Sequence, residues 1–267
     1  MRWLNLLFVL GINAVPFYGA MYLGWSVSTI LVLYWVENFM VIAATCVRIV
    51  LHRRWTRKCG HWSGARAEVI GGIVSVPGNA NAFLTGFLGP SLVFTLAHGI
   101  FVFAIVFGMG QNHPGEPMWE FSAVQFRQGA VTIGVLIVLD LLRDLTILRQ
   151  RSFAALKIYV DRRMARVIIL HITLIFGMIA IASTASPLAL LAILIGLKTL
   201  VELSAAWFGE RPHSDDLPPE PPAWGLKFAA ALGNAQGKKV EDLKASWHAD
   251  YRRQQERSLR DEEAMPG

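Results

Sequence analysis

Residues Leu33 to Val41 read LYWVENFMV, a stretch that sets a carboxylate and an amide, Glu37 and Asn38, side by side in a long apolar run. Between Arg2 and Arg48 the chain carries one formal charge, and it is Glu37. The run around it, Val27–Val47, has the length of a bilayer-crossing helix, which needs about 20 mostly apolar residues. A glutamate inside such a helix requires partners, and the rest of the sequence has to supply them.

Composition sets the class. Of 267 residues, 54% are hydrophobic and 16% charged, against about 25% charged in soluble domains, and mean hydropathy is +0.44. This is the composition of a membrane protein. The net charge of +6 is unevenly placed: residues 1–208 hold 16 Lys+Arg against 8 Asp+Glu, whereas residues 209–267 hold 9 against 11. Basic charge therefore travels with the hydrophobic body, as membrane topology requires. No zinc-finger spacing and no basic stripe interleaved with aromatics supports a nucleic-acid partner. The two cysteines, Cys46 in an apolar run and Cys59 in a basic one, offer neither a disulfide framework nor a thiolate zinc site.

Six segments are long and apolar enough to span: Trp3–Leu23, Val27–Val47, Phe83–Met109, Ala130–Leu148, Ala165–Ser183 and Pro187–Phe208. The expected fold is thus an all-α, polytopic bundle of six transmembrane helices. Pro16 and Pro90 interrupt two of them, which neighbouring helices tolerate. The connection after the second segment carries Arg48, Arg53, Arg54, Arg57, Lys58 and Arg66, and the one after the fourth carries Arg149, Arg151, Lys157, Arg162, Arg163 and Arg166. The turns near Gly24 and Ala185 are uncharged, and the loop GQNHPGEPMWEFSAVQFR has two glutamates and one arginine. By the positive-inside rule both basic connections, and with them both termini, are expected in the cytoplasm of a bacterial-type inner membrane. Arg2 followed by an apolar stretch also resembles a secretory signal. Apolarity continuing to Leu23 favours a retained first helix, and cleavage would leave five helices in the same orientation.

Two regions lie outside these segments. His61–Phe83 is glycine-rich and weakly apolar and reads as a loop or an interfacial segment. Residues 209–237 form a proline-rich, acidic linker, and residues 238–267 a cytoplasmic tail, helical or disordered. In the tail, Val240, Leu243, Trp247 and Tyr251 fall at helical spacing, a stripe that a protein partner could use.

Glu37 has company at depth. Expected pocket residues are Glu37 and Asn38 on the second segment, His98 on the third, Asp140 on the fourth, His171 on the fifth, and Lys198 with Glu202 on the sixth. Glu37, His98, Asp140 and Lys198 fall near mid-span, while His171, Glu202 and the Arg143/Asp144 pair lie toward the cytoplasmic side. A charge facing lipid at the bilayer centre costs about 2.5–3.5 kcal/mol on insertion scales. The set is therefore expected to converge on the bundle interior, with Lys198 reaching across to Glu37 or Asp140. Such a pocket is either a structural ion-pair network or a site that binds or moves something.

The chemistry stays open. His98, His171, Glu37 and Asp140 could ligate a divalent metal, and the two histidines a haem, although no HExxH or HxxEH spacing occurs. There is no GxSxG, Walker A or dinucleotide pattern. His113, Glu116 and Glu120 read as a solvated outer loop. Titratable groups at mid-depth suit proton-linked transport. They suit equally an intramembrane enzyme acting on a lipid-like substrate, and a non-catalytic assembly subunit would need them only for packing.

The stretches LGWSVSTILVLYWVENFMV, LAHGIFVFAIVFG and LLAILIGLKTLVEL resemble a family of bacterial multi-pass membrane proteins catalogued as a domain of unknown function. Its pattern combines W-x-E-N, H-G-x-F and K-T-x-x-D/E-L, here Trp35, Glu37 and Asn38; His98, Gly99 and Phe101; Lys198, Thr199, Glu202 and Leu203. Glutamate at Glu202 departs from the commoner aspartate. The resemblance covers residues 5–208 in patches, excludes the tail, and implies an integral membrane protein without naming a reaction.

Overall fold

The computed structural model describes residues 2–63, 66–69, 72–75, 81–112, 114–164, 176, 187–208 and 240–265. Helices dominate: α1 (Arg2–Tyr22), α2 (Val27–Thr56), α3 (Ala82–Asn112), α4 (Ala123–Leu148), α5 (153–164), α6 (Pro187–Phe208) and α7 (Val240–Glu262). A single turn of 3-10 helix, Cys59–His61, follows α2, and a two-stranded antiparallel hairpin pairs β1 (Arg66–Val69) with β2 (Gly72–Ser75). The hairpin occupies the glycine-rich stretch expected as a loop or interfacial segment, where Val69, Ile73 and Val74 supply β-branched residues. The expected helix Ala165–Ser183, residue 176 apart, and the linker 209–237 lie outside the described residues.

Two boundaries differ from the hydropathy reading. The second helix continues past Val47 to Thr56, because the charged residues added there find partners inside the fold. It ends at Arg57, whose φ of 50° places it in the left-handed region while its N–H donates to the Arg53 carbonyl. The fourth begins at Ala123 rather than Ala130, because Ser122 caps it by accepting from the Gln125 N–H.

Helix α2 is central, packing on both α3 and α4, while α1 packs on α4 and α6. At one end the turn at Gly24, held by a φ of +62° that favours glycine, is tied to the α3–α4 loop. Val27 N–H donates to the Met118 carbonyl (2.8 Å), Ser28 Oγ to the Trp119 carbonyl (2.8 Å), and Ser122 N–H to Thr29 Oγ1 (3.0 Å). At the opposite end the basic connections gather: Arg53 bonds Asn81, and Lys58 bonds both the Arg151 carbonyl and Glu262.

Polarity is inverted relative to a water-soluble bundle. Ile100, Phe103 and Val93 are 72%, 68% and 67% exposed, and Leu7, Met21, Val131 and Leu142 join them on the outside. Ser91, Thr95, His98, Glu37, Asn38, Thr45, Arg48, Asp144 and Lys198 are buried. Monomers in water rarely expose apolar patches beyond a few hundred Å². Among the described residues α2 and α3 are long and apolar enough to cross a membrane by length and composition.

Gly99 shows how closely α3 approaches α2. Trp35 Nε1 donates to the Thr95 carbonyl (2.9 Å), laying the indole across Gly99, where a Cβ would fall 2.5 Å from Nε1. Gly99→Ala should therefore force the indole or α3 to move, costing about 1–3 kcal/mol. Thermal melting of the detergent-solubilised protein, read by size exclusion, should drop, and Trp35→Leu in the same background should recover part of the loss. Equal melting of wild type and Gly99→Ala would contradict this packing.

Candidate functional site

The carboxylate that opened the sequence is buried against Lys198. Helix α2 brings Tyr34 and Glu37, α6 brings Lys198 and Glu202 on one face one turn apart, and α1 brings Asn13. Lys198 Nζ lies 3.3 Å from Glu37 Oε1 and 3.4 Å from Glu202 Oε1, and donates to Asn13 Oδ1 at 2.6 Å. Asn13 Nδ2 donates to Glu202 Oε2 (2.7 Å) and to the Val9 carbonyl (2.8 Å). The ammonium also sits 4.9 Å above the Tyr34 ring. Lys198 and Glu37 are each 1% exposed. One amide thus joins the cation to its second carboxylate, and three helices meet at one nitrogen.

A second cluster lies between α2 and α4. Arg48 places Nη2 3.0 Å from Asp140 Oδ2 and Nε 3.0 Å from Asp144 Oδ2. Arg143 Nη2 reaches Asp140 Oδ1 at 2.7 Å and Asp144 Oδ1 at 3.2 Å, and Arg151 Nη2 reaches Asp144 Oδ1 at 3.3 Å. The Arg48 guanidinium also lies 5.2 Å from the Tyr159 ring centroid, and Arg163 stacks over the same ring at 4.9 Å.

The expected residues therefore divide instead of meeting in one volume. Glu37, Lys198 and Glu202 come together, whereas Asp140 pairs with Arg48 and Arg143. His98 is buried on α3 beside Thr95, Asn38 is buried on α2, and His171 lies outside the described residues. The metal-ligand set His98, His171, Glu37 and Asp140 is split, since its two carboxylates serve different cations. Among the described residues no three His, Cys, Asp or Glu side chains gather as metal ligands. Two members went unnoticed in the sequence. Asn13 is neutral and gives no hydropathy signal, and Arg48 reads as the first residue of a basic connection.

At the basic end a buried histidine pair packs under the 3-10 turn. His52 Nε2 meets the Arg151 carbonyl at 3.1 Å, and His52 Nδ1 meets His61 Nε2 at 2.8 Å. A carbonyl only accepts, so His52 carries its proton on Nε2 and accepts from His61 Nε2–H. Burial, then the charges of His52, Arg53 and Lys58, push the His61 pKa down to about 3, which keeps that ring neutral.

A family model matches residues 1–219, described as "Family of unknown function (DUF6498)". The chain belongs to this family. The match contains α1 to α6 and both charge clusters and stops before α7. No curated protein and no solved structure matches the chain.

Removing one partner of a buried ion pair costs about 3–5 kcal/mol because the other charge is stranded. Lys198→Met should lower the amount of folded protein in membranes, and Glu37→Gln should restore part of it. Asp140→Asn should give no rescue, since it strands Arg48. Quantitative blotting of membrane fractions measures all three, and rescue by Asp140→Asn alone would overturn the assignment of partners.

Proposed function

We propose that this chain is a multi-pass protein of a bacterial-type inner membrane, crossing it six times with both termini in the cytoplasm. Its Asn13–Glu37–Lys198–Glu202 cluster is a proton-binding site coupled to the binding or passage of a small solute or ion. The exposed apolar belt and buried polar interior support the bilayer setting, because every charge inside hydrocarbon must be satisfied within the bundle. Gathering of the basic connections at one end, with the Gly24 turn and the α3–α4 loop tied together at the other, supports the orientation. Ala165–Ser183 supplies the remaining crossing.

The observation that carries the functional reading is the sharing of one buried ammonium by two carboxylates. Two carboxylates, Glu37 and Glu202, face one ammonium in a buried site. Two carboxylates held against one ammonium in a low-dielectric site repel one another, and a proton taken up between them relieves that repulsion. The second cluster gathers Arg48, Arg143 and Arg151 around Asp140 and Asp144. From there polar contacts continue through Arg151 to Lys58 at the basic end.

Orientation is tested by reporter fusions: one after Gly267 should read cytoplasmic and one inserted near Gly115 external, and swapped signals would reverse the assignment.

Proton binding is tested by infrared difference spectroscopy on the reconstituted protein. A carboxylic-acid carbonyl band should titrate with pH and be lost or shifted in Glu37→Gln or Glu202→Gln. Vesicles carrying the wild type should also pass protons under an imposed potential, at ten times the rate of the Glu37→Gln variant or more. No titrating band would remove the site as a proton acceptor. A band without any voltage-driven flux above empty vesicles would leave a static network and remove transport.

A further inference from the structure

The far end of α7 returns to the elbow between α2 and the 3-10 turn and is bound there through both backbone and side chains. Lys58 and Ala264 form an antiparallel bridge, in which Cys59 N–H donates to the Glu263 carbonyl (2.7 Å) and Met265 N–H to the Arg57 carbonyl (2.9 Å). Ser63 Oγ donates to Asp261 Oδ1 at 2.7 Å. The elbow can receive this segment because left-handed Arg57 turns the chain from α2 into extended backbone at Lys58, whose φ is −69° and ψ 138°. Glu262 serves two elements at once: Oε2 takes the Lys58 ammonium, and Oε1 accepts from the Ala154 N–H (2.8 Å) at the start of α5. Burial alone would raise the pKa of this carboxyl. Lys58 and the amides of Ala154 and Phe153 outweigh that and hold it below the ordinary carboxylate value.

The same elbow holds the residue that closes the second buried charge cluster. Lys58 Nζ donates to the Arg151 carbonyl (3.3 Å), His52 Nε2–H donates to that carbonyl too (3.1 Å), and the Arg151 guanidinium reaches Asp144 (3.3 Å). Asp144 in turn holds Arg48. A continuous set of polar contacts therefore runs from Glu262 through Lys58 and Arg151 to the interior. The docked segment lies outside the residues matched by the family model. Its contacts are a few hydrogen bonds and a partly exposed ion pair, set against the entropy of closing the chain between α6 and α7. Such a balance favours an element that docks and releases.

We propose that residues 261–265 are a latch on the cytoplasmic end of the polar interior: docked, they fix the α4–α5 turn with Arg151 on Asp144, and released, they free that turn and open the interior to the cytoplasm. The gating part rests on the functional reading above, and the docking part does not.

The test uses the full chain with Cys46→Ser and Cys59→Ser, carrying Lys58→Cys and Ala264→Cys. These two face each other as a non-hydrogen-bonded cross-strand pair, close enough for a disulfide. Mild oxidation should cross-link them within one chain. Hydrogen exchange at residues 149–155 should then be slower in the oxidised protein than in the same protein reduced, and in a separate variant carrying Glu262→Ala alone it should quicken tenfold or more relative to wild type. Cross-linking only between two chains, no cross-linking, or exchange unchanged in both variants would overturn the latch. The infrared carboxyl band gives the gating readout. Locking should slow its response to a cytoplasmic pH jump tenfold or more, with reversal on reduction, and an unchanged response overturns gating. A wild type with no such band refutes the proton site and the gating with it, while the exchange measurement still decides the docking.

Discussion

One ammonium group organises this fold. Lys198 has no acid on its own helix except Glu202 one turn away, and its side chain is held between that acid, Glu37 on α2 and Asn13 on α1. A lone buried charge costs several kcal/mol after relaxation. The position of α6 relative to α1 and α2 is therefore constrained to a few tenths of an ångström at this point, more sharply than apolar packing would do it. Apolar contacts between helices in a hydrocarbon surround offer little directional preference, since lipid tails are as apolar as leucine. Polar contacts of this kind choose which helices meet and at what rotation.

The second constraint is the continuation of α2. Had the helix stopped at Val47, Arg48 would have stood at its end, facing solvent. Because it continues to Thr56, Arg48 lies against α4, where Asp140 and Asp144, four apart, face it with one carboxylate on each side of the guanidinium. The planar fork suits this double acceptance, which a lysine could satisfy only as a point charge. Arg143 and Arg151 then take the outer oxygens of both aspartates. The result is one network of three arginines and two aspartates toward the basic end.

How far the sequence discloses this depends on which signals are local. Hydropathy marks the start of α2 at Val27 and both ends of α6, because burial and apolar length travel together there. The pairing of Lys198 with Glu37 follows from the cost of unpaired charge, and needs no coordinates beyond depth. Other features escape for physical reasons. Hydropathy lowers the score of a helix wherever it carries charge, so it cannot show that Arg48 is neutralised by α4 and that the helix continues. Asp140 lies toward the Arg48 end of α2, since Gly134, six positions earlier on α4, is already level with Met40, and a position near the middle of a hydropathy segment does not fix that depth. Asn13 has no charge to explain, although its amide is what lets one lysine hold two carboxylates. The end of α7, expected as part of a loosely attached tail, is bound by backbone groups that any sequence possesses.

The same reasoning accounts for the composition of LYWVENFMV. A helix with lipid on one side can leave that side apolar and uniform. Helix α2 has neighbours on several sides and must satisfy each with different residues inside a few turns. Trp35 goes to α3, where its indole bonds the Thr95 carbonyl and lies over Gly99. Glu37, two positions on, points to α6 and Lys198, and Tyr34 places its ring under the same ammonium. Farther along, Arg48 faces α4 and His52 meets the α4–α5 turn. A tryptophan and a carboxylate packed into three residues thus serve two different neighbouring helices. Glu37 is tolerated in the middle of that apolar run because α2 is the central helix and turns the carboxylate inward.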